Sequence, residues 1–404
     1  MSKAPNTKGD RRLPFIEKLL DGAEVEWKAL GDYTDYEQPT KYRVKSKFYN
    51  DDFKTPVLTA GKTFILGYTN EEDGIYKASE APVIIFDDFT TANKWVDFDF
   101  KVKSSAMKII TSKDESKALL KYIYYWLNTV PSGLVEGDHK RQWISNYCNK
   151  EFPIPCPNDP ERSLQIQQEI VRILDTFTEL TAELTAELTA RRKQYAYYRE
   201  RLLSFETTND TKGTNVVWKA LGEVITLQRG KRLVKSQLDD TGEYAVFQNS
   251  MTPLGYYSES NVKAGTTFVI CAGAAGEIGY SDVDFWAADD VYYLITPENI
   301  NSKYVYYFLW TQQHKILGQV RRASIPRLAK SALARLVLPI PPLEEQARIV
   351  SILDKFDTLT TSISEGLPRE IELREKQYEY YRDLLLSFPN TDHERHERHE
   401  RHEN

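Results

Sequence analysis

With only three cysteines in 404 residues, at Cys148, Cys156 and Cys271, the chain has no CxxC spacing and no disulfide framework. His139 and His314 have no ligand partner at helical or loop spacing, which argues against a zinc site. No apolar run approaches the roughly 20 residues that span a bilayer. The first twelve residues are polar and lack the apolar stretch of a secretory signal, so the expected compartment is the cytoplasm. The longest apolar segment, residues 268–275, reads as a buried strand followed by a glycine-rich turn.

Catalytic signatures are missing as well. Ala60-Gly61-Lys62-Thr63 resembles the end of a phosphate-binding loop, but Pro56 stands where that loop needs its first glycine. The glycines of 273–279 lack GxGxxG spacing and precede strand-like sequence instead of a helix. There is no HExxH, no GxSxG and no NPPY- or DPPY-type amino-methyltransferase motif. Asp87-Asp88 and Asp289-Asp290 end apolar runs and read as turn carboxylates, and the ExK of residues 372–376 lies on a charged helix face. The repeated His-Glu-Arg unit from His393 onward reads as a charged tail. No metal and no catalytic residue is expected in this chain.

Net positive charge is also lacking. The formal charge is −6, which weighs against a nucleic-acid binder. The carboxylates, however, concentrate in 161–206 and 344–403, while cations cluster elsewhere.

What is present is a repeat. Val25-Glu26-Trp27-Lys28-Ala29-Leu30-Gly31 returns 191 residues later as Val216-Val217-Trp218-Lys219-Ala220-Leu221-Gly222. Lys121-Tyr122-Ile123-Tyr124-Tyr125-Trp126-Leu127 returns as Lys303-Tyr304-Val305-Tyr306-Tyr307-Phe308-Leu309, and Pro153-Ile154-Pro155 as Pro339-Ile340-Pro341. Ile170-Val171 with Ile173-Leu174-Asp175 returns as Ile349-Val350 with Ile352-Leu353-Asp354. Lys193-Gln194-Tyr195 with Leu202-Leu203-Ser204-Phe205 returns as Lys376-Gln377-Tyr378 with Leu385-Leu386-Ser387-Phe388. The order is the same throughout, so the chain is a tandem duplication.

Each half opens with aromatic and β-branched runs, turn signals and an embedded Tyr-rich helix whose aromatics read as core. Proline-rich punctuation then leads into a long helix. In the first, Ile166, Ile170, Ile173, Leu174, Phe177, Leu180, Leu184, Leu188, Tyr195, Tyr198, Leu202 and Phe205 recur at coiled-coil-like steps. Residues 161–205 would run about 65 Å at ~1.5 Å per residue. The second helix shows the same seam, with a kink or break expected at Gly366 and Pro368. The expected fold class is α+β: two similar globular domains separated by two long antiparallel helices, with a pseudo-two-fold arising from the duplication. Paired in this way, the helices would act as a molecular ruler with the two domains at opposite ends. The sequence divides into an N-terminal segment (1–24), a first domain (25–157), a central helical region (158–206), a linker (207–215), a second domain (216–342), a C-terminal helical region (343–389) and a charged tail (390–404).

The first helix carries Thr181-Ala182-Glu183-Leu184 followed by Thr185-Ala186-Glu187-Leu188, a literal repeat of good helix formers. Four residues lengthen a helix by ~6 Å and rotate its remaining turns by about 40°, a stutter that the seam can absorb.

The segment Leu338-Pro339-Ile340-Pro341-Pro342-Leu343-Glu344-Glu345-Gln346-Ala347-Arg348-Ile349-Val350 resembles the hallmark of specificity subunits of type I restriction-modification enzymes. Residues 152–171 are its degenerate copy, departing from it at 158–163. The Trp-Lys-Ala-Leu-Gly opening and the Lys-Gln-Tyr and Leu-Leu-Ser-Phe closing of each half are similar to that family, as is the Thr-Ala-Glu-Leu spacer. The resemblance covers all but the termini. It implies a non-catalytic subunit whose two domains each read one half of a bipartite, asymmetric site in double-stranded DNA across a fixed gap. It also implies that two methylation subunits dock on the helices, that restriction/translocation subunits join them, and that S-adenosylmethionine, ATP and Mg2+ are handled by those partner chains.

Phosphate contacts need cations and base contacts need hydrogen-bonding side chains. In the first domain Lys41, Arg43, Lys45 and Lys47 alternate as on one strand face, with Lys101, Lys103, Lys140 and Arg141 as further candidates. In the second domain the candidates are Arg229, Lys231, Arg232 and Lys235, and a loop bearing Arg321, Arg322 and Arg327. The competing readings are a two-headed coiled-coil scaffold for protein or glycan, and a stand-alone methyltransferase or nuclease, for which no motif is found.

Overall fold

The computed structural model describes residues 23–59, 63–131, 141–205, 216–239, 241–362 and 364–388. The chain forms two compact units: residues 1–182 with 372–404, and residues 183–371. Each unit therefore holds one globular domain and a part of each helical region.

In the first unit, β1 (Val25–Ala29) pairs antiparallel with β9 (Glu151–Pro155). The main sheet contains β2 (Thr34–Glu37), β5 (Val83–Asp87), β6 (Asn93–Val96) and β8 (Met107–Ser112) in the order β2-β8-β5-β6. A smaller sheet contains β3 (Thr55–Leu58), β4 (Ile65–Thr69) and β7 (Lys101–Val102) in the order β4-β3-β7. Helix α1 (Leu120–Leu127) follows β8, and α2 (Pro160–Ser204) begins after β9. The second unit repeats this plan strand for strand. Its pair is β10 (Val217–Ala220) with β18 (Val337–Ile340), and its helix after the main sheet is α3 (Ser302–Thr311). The main sheet runs β11-β17-β14-β15, from β11 (Thr226–Arg229), β14 (Thr266–Ile270), β15 (Ile278–Ser281) and β17 (Val291–Ile295). The smaller one runs β13-β12-β16, from β12 (Tyr244–Phe247), β13 (Gly255–Tyr257) and β16 (Trp286–Ala287). The apolar run read from residue 268 is the buried end of β14, and the glycine turn comes directly after it.

The aromatics of α1 and α3 are core residues. Tyr122, Tyr125, Tyr304 and Tyr307 are all buried, and their hydroxyls reach out of the core to fixed partners. Tyr122 donates to the Pro153 carbonyl (3.1 Å) and Tyr304 to that of Pro339 (2.8 Å). Tyr125 donates to Asp175, which also pairs with Lys121 (3.0 Å). Tyr307 donates to Asp354, which also pairs with Lys303 (3.1 Å). Gln167 and Gln346, both fully buried, accept the backbone N–H of Leu119 and Asn301 respectively. One joint thus fixes each domain to its helix, built from the same residue types in both units.

The break expected in the second long helix occurs. Helix α4 (Leu343–Thr361) ends before Ser362, and α5 (Gly366–Leu386) starts on Gly366 at a φ of 77°. A Cβ there would meet the Thr358 carbonyl oxygen at 2.5 Å, so a residue with a side chain would be strained in both conformation and space. In the second unit α2 and α4 run antiparallel. Arg192 donates to the Thr360 carbonyl at 3.4 Å, and further along α2 Tyr195 and Tyr198 stack on Phe356 at 6.0 and 5.6 Å. In the first unit Phe177 of α2 stacks on Tyr381 of α5 at 5.2 Å. The coiled-coil-like seam is closed at these points by its own aromatic members, Phe177 on Tyr381 and Tyr195 and Tyr198 on Phe356.

Candidate nucleic-acid interface

Antiparallel order brings the carboxyl ends of β11 and β14 and the starts of β15 and β17 to one end of the second main sheet. The two basic segments of the second domain, about ninety residues apart in sequence, meet here. Arg229 ends β11. Its Nε donates to the Asp289 carbonyl, and its guanidinium lies 3.9 Å from Asp290. Gly230 and Lys231 continue the backbone ladder to Val291 and Ala287. A Cβ on Gly230 would lie 2.2 Å from the Ala288 carbonyl oxygen, so the close approach requires glycine.

The loop of residues 321–327 is closed by reciprocal backbone bonds between Arg321 and Arg327, at 2.9 and 3.1 Å. Leu328 donates to the Cys271 carbonyl and Gly273 to the Pro326 carbonyl, which docks the loop against the glycine turn. Arg229 and Arg327 both act on Cys271 beneath them. Burial raises this thiol against the opposing pull of the two guanidiniums, and the balance leaves it at about 11. Lys231, Arg232, Lys235, Arg321, Arg322 and Arg327 are exposed and carry no ion pair among the described residues. That is a surface able to meet phosphates.

The first sheet end follows the same backbone scheme. Gln38 occupies the place of Arg229 and donates to the Ser105 carbonyl, as Arg229 does to that of Asp289. Asp88 donates its N–H to Ala106, as Cys271 does to Asp290, and Gln142 donates to Asp88, as Leu328 does to Cys271. Arg141 therefore matches Arg327, and its guanidinium lies 3.5 Å from the Gln38 carboxamide oxygen. Beneath them Lys108 and Asp88 form a buried ion pair at 3.5 Å, and Lys108 also donates to Gln38. Sequence reading passed over Lys108; its signal is a lone cation inside the apolar run Met107-Lys108-Ile109-Ile110.

Several candidates of the first domain need correction. Residues 41–47 are not a strand. Pro39 has no N–H to extend β2 and opens a short 3-10 turn over Pro39–Tyr42. Lys41 is paired with Glu37 at 2.7 Å and Lys45 with Asp73. Lys101 is buried, 3.1 Å from Glu71 and bonded to the Asp73 carbonyl, so it cannot reach a phosphate. Burial alone would raise the Glu71 carboxyl, but the Ser46 amide, Lys101 and the Lys45 amide hold it below its ordinary range. Lys103 is half-buried against the Tyr49 ring and hydroxyl. Arg43 and Lys47 remain exposed without an acidic partner among the described residues. Lys140 lies outside the described residues, as do the alanine, glycine and lysine of the phosphate-loop look-alike.

Asp87 accepts the Phe89 and Thr90 amides, which is the turn role read for it. The described residues contain no group of three or more His, Cys, Asp or Glu placed to hold a metal ion, and no helix long and apolar enough to cross a membrane.

Comparison with known proteins decides the family. Residues 214–373 match the model of the type I restriction modification DNA specificity domain. The chain is 53% identical over 403 residues to the Escherichia coli type I restriction enzyme EcoR124I/EcoR124II specificity subunit, covering 94% of this chain and 98% of that one. The chain belongs to the specificity subunits of type I restriction enzymes. A putative type I specificity subunit of Haemophilus influenzae is 32% identical, over 93% of this chain and 98% of its own. The fold is that of the crystallised S subunit from M. genitalium, with a TM-score of 0.64 at 17% identity and coverage of 92% and 98%. A chain from a study of complex assembly and conformational transition of the type I R-M system aligns with a TM-score of 0.55 at 15% identity, over 90% and 97%. Membership assigns the chain a role in recognising DNA sequence for restriction-modification, and the two-headed scaffold is not favoured.

Proposed function

We propose that each sheet end reads one half of a bipartite, asymmetric site in double-stranded DNA, and that the helical regions set the gap and dock two methylation subunits. On this reading restriction/translocation subunits complete the assembly, and S-adenosylmethionine, ATP and Mg2+ serve the partner chains, so that this chain supplies recognition alone. The reading rests above all on one observation: two topologically identical domains bring cations to the same end of the same sheet through the same backbone bonds. A single-site reader would need only one of them. The boundary between the units falls in the Thr-Ala-Glu-Leu spacer, between Ala182 and Glu183, where a change of helix length would alter spacing and leave both domains as they are.

The test is competitive binding by the chain assembled with its methylation subunits. One bipartite sequence should bind at least about a thousandfold more tightly than random duplex, with log affinity falling linearly with log salt. Equal binding of all sequences at moderate salt would overturn the reading and return the scaffold to favour.

A further inference from the structure

We propose that Asn249 is a base-reading residue of the second domain, its carboxamide recognising an adenine edge in the major groove; this deepens the reading of that sheet end as a DNA interface. The hairpin between β12 and β13 carries Asn249 near its tip, and three backbone bonds hold that tip. Leu254 donates to Val246 (2.8 Å), Ala288 to Phe247 (2.9 Å) and Ala274 to Asn249 itself (2.8 Å). The last bond comes from the glycine turn that also docks the arginine loop, since Gly273 donates to Pro326 at 3.1 Å. Consecutive N–H groups of one turn thus hold the hairpin tip and the loop of Arg321, Arg322 and Arg327 side by side.

Gly273 adopts a φ of 82°, and a Cβ on it would meet the Asn249 carbonyl oxygen at 2.6 Å and the Asn249 Cβ at 2.8 Å. The approach is as close as glycine alone permits, and it fixes the start of the Asn249 side chain. The carboxamide beyond is exposed and bonded to nothing among the described residues.

A pinned backbone with a free polar head is the form that recognition requires, because the group meets its ligand already oriented. The surrounding cations can position the duplex but carry no sequence information. A carboxamide can present an N–H donor beside a carbonyl acceptor, the complement of the N7 acceptor and N6 amine donor of adenine. Two positions past the matched strand ends Leu58 and Phe247 the sequence has alanine in the first domain and Asn249 in the second, so this reader belongs to one half-site only.

The experiment measures binding of the chain, assembled with its methylation subunits, to duplexes varied at every base pair of the second half-site. Asn249→Ala should leave the melting temperature and the salt slope unchanged. It should weaken the cognate site about five- to 150-fold and remove discrimination at a single A·T pair. Asn249→Asp should shift the preference at that pair toward cytosine, whose N4 amine a carboxylate accepts. A loss shared equally by all sequences with a shallower salt slope would make Asn249 a phosphate contact, and unchanged discrimination would give it no part in reading; either overturns the inference. A wild-type assembly that distinguishes no sequence would instead remove the reading beneath it.

Discussion

At the end of the first sheet Gln38 donates to the carbonyl of Ser105; at the end of the second, Arg229 donates to that of Asp289. Below Gln38 lies the buried Lys108–Asp88 pair, and in the same places below Arg229 lie Tyr292 and Cys271. Backbone bonds recur while the side chains on them differ in charge and size. The first end spends its central cation inside the protein, whereas the second keeps Arg229 half-exposed among unpaired arginines. Duplication preserved the backbone frame and let the surface on it diverge, as the proposed reading of two different half-sites requires.

The buried pair is the sharpest place to break this comparison. Lys108→Met leaves Asp88 charged and without its cation, and should cost about 3–5 kcal/mol in chemical denaturation. The double variant Lys108→Met/Asp88→Asn keeps an acceptor for the Trp143 amide, which Asp88 Oδ1 accepts at 3.0 Å. It should recover most of that loss, and a double variant as unstable as the single one would contradict the ion-pair account.

The helix joints test the opposite claim, that the frame is shared. Tyr125→Phe and Tyr307→Phe each remove one hydrogen bond to a carboxylate, and each should cost about 1.5–3 kcal/mol. Unequal losses would mean that the two joints are not equivalent. Smallest is the effect of single exposed cations. Lys231→Ala or Arg232→Ala should weaken DNA binding evenly across sequences and flatten the salt slope by about 0.9 each. A base-specific loss would move that residue from positioning to reading.

The repeat, the two long helices, the break at Gly366 and the core role of the Tyr-rich helices were all legible in the sequence, because periodicity and recurrence need no knowledge of packing. The basic segments of the second domain were legible as clusters. Their meeting was not, because it depends on a sheet order that brings β11, β14 and the loop of residues 321–327 together. In the first domain alternation misled. The row of cations at 41–47 is a strand pattern, but Pro39 removes the donor that would extend β2, and Glu37 and Asp73 take up two of the charges. Lys101 read as surface because lysine is rarely buried, yet Glu71 and the Asp73 carbonyl hold it inside. Asn249 gave no signal at all: an asparagine in a turn is ordinary until the glycine turn is seen to pin it.

The spacer tests the central claim most directly. One more Thr-Ala-Glu-Leu unit inserted after Leu188 rotates the rest of the helix by about 40°, close to the ~34° of one base pair, while its ~6 Å rise would fit nearly two. Rotation should decide, because a reading surface turned away from the groove cannot bind. Determining the methylated sequence in cells carrying the lengthened chain with its partners should show both half-sites unchanged and the gap between them wider by one base pair. An unchanged gap, or an altered half-site, would contradict the account.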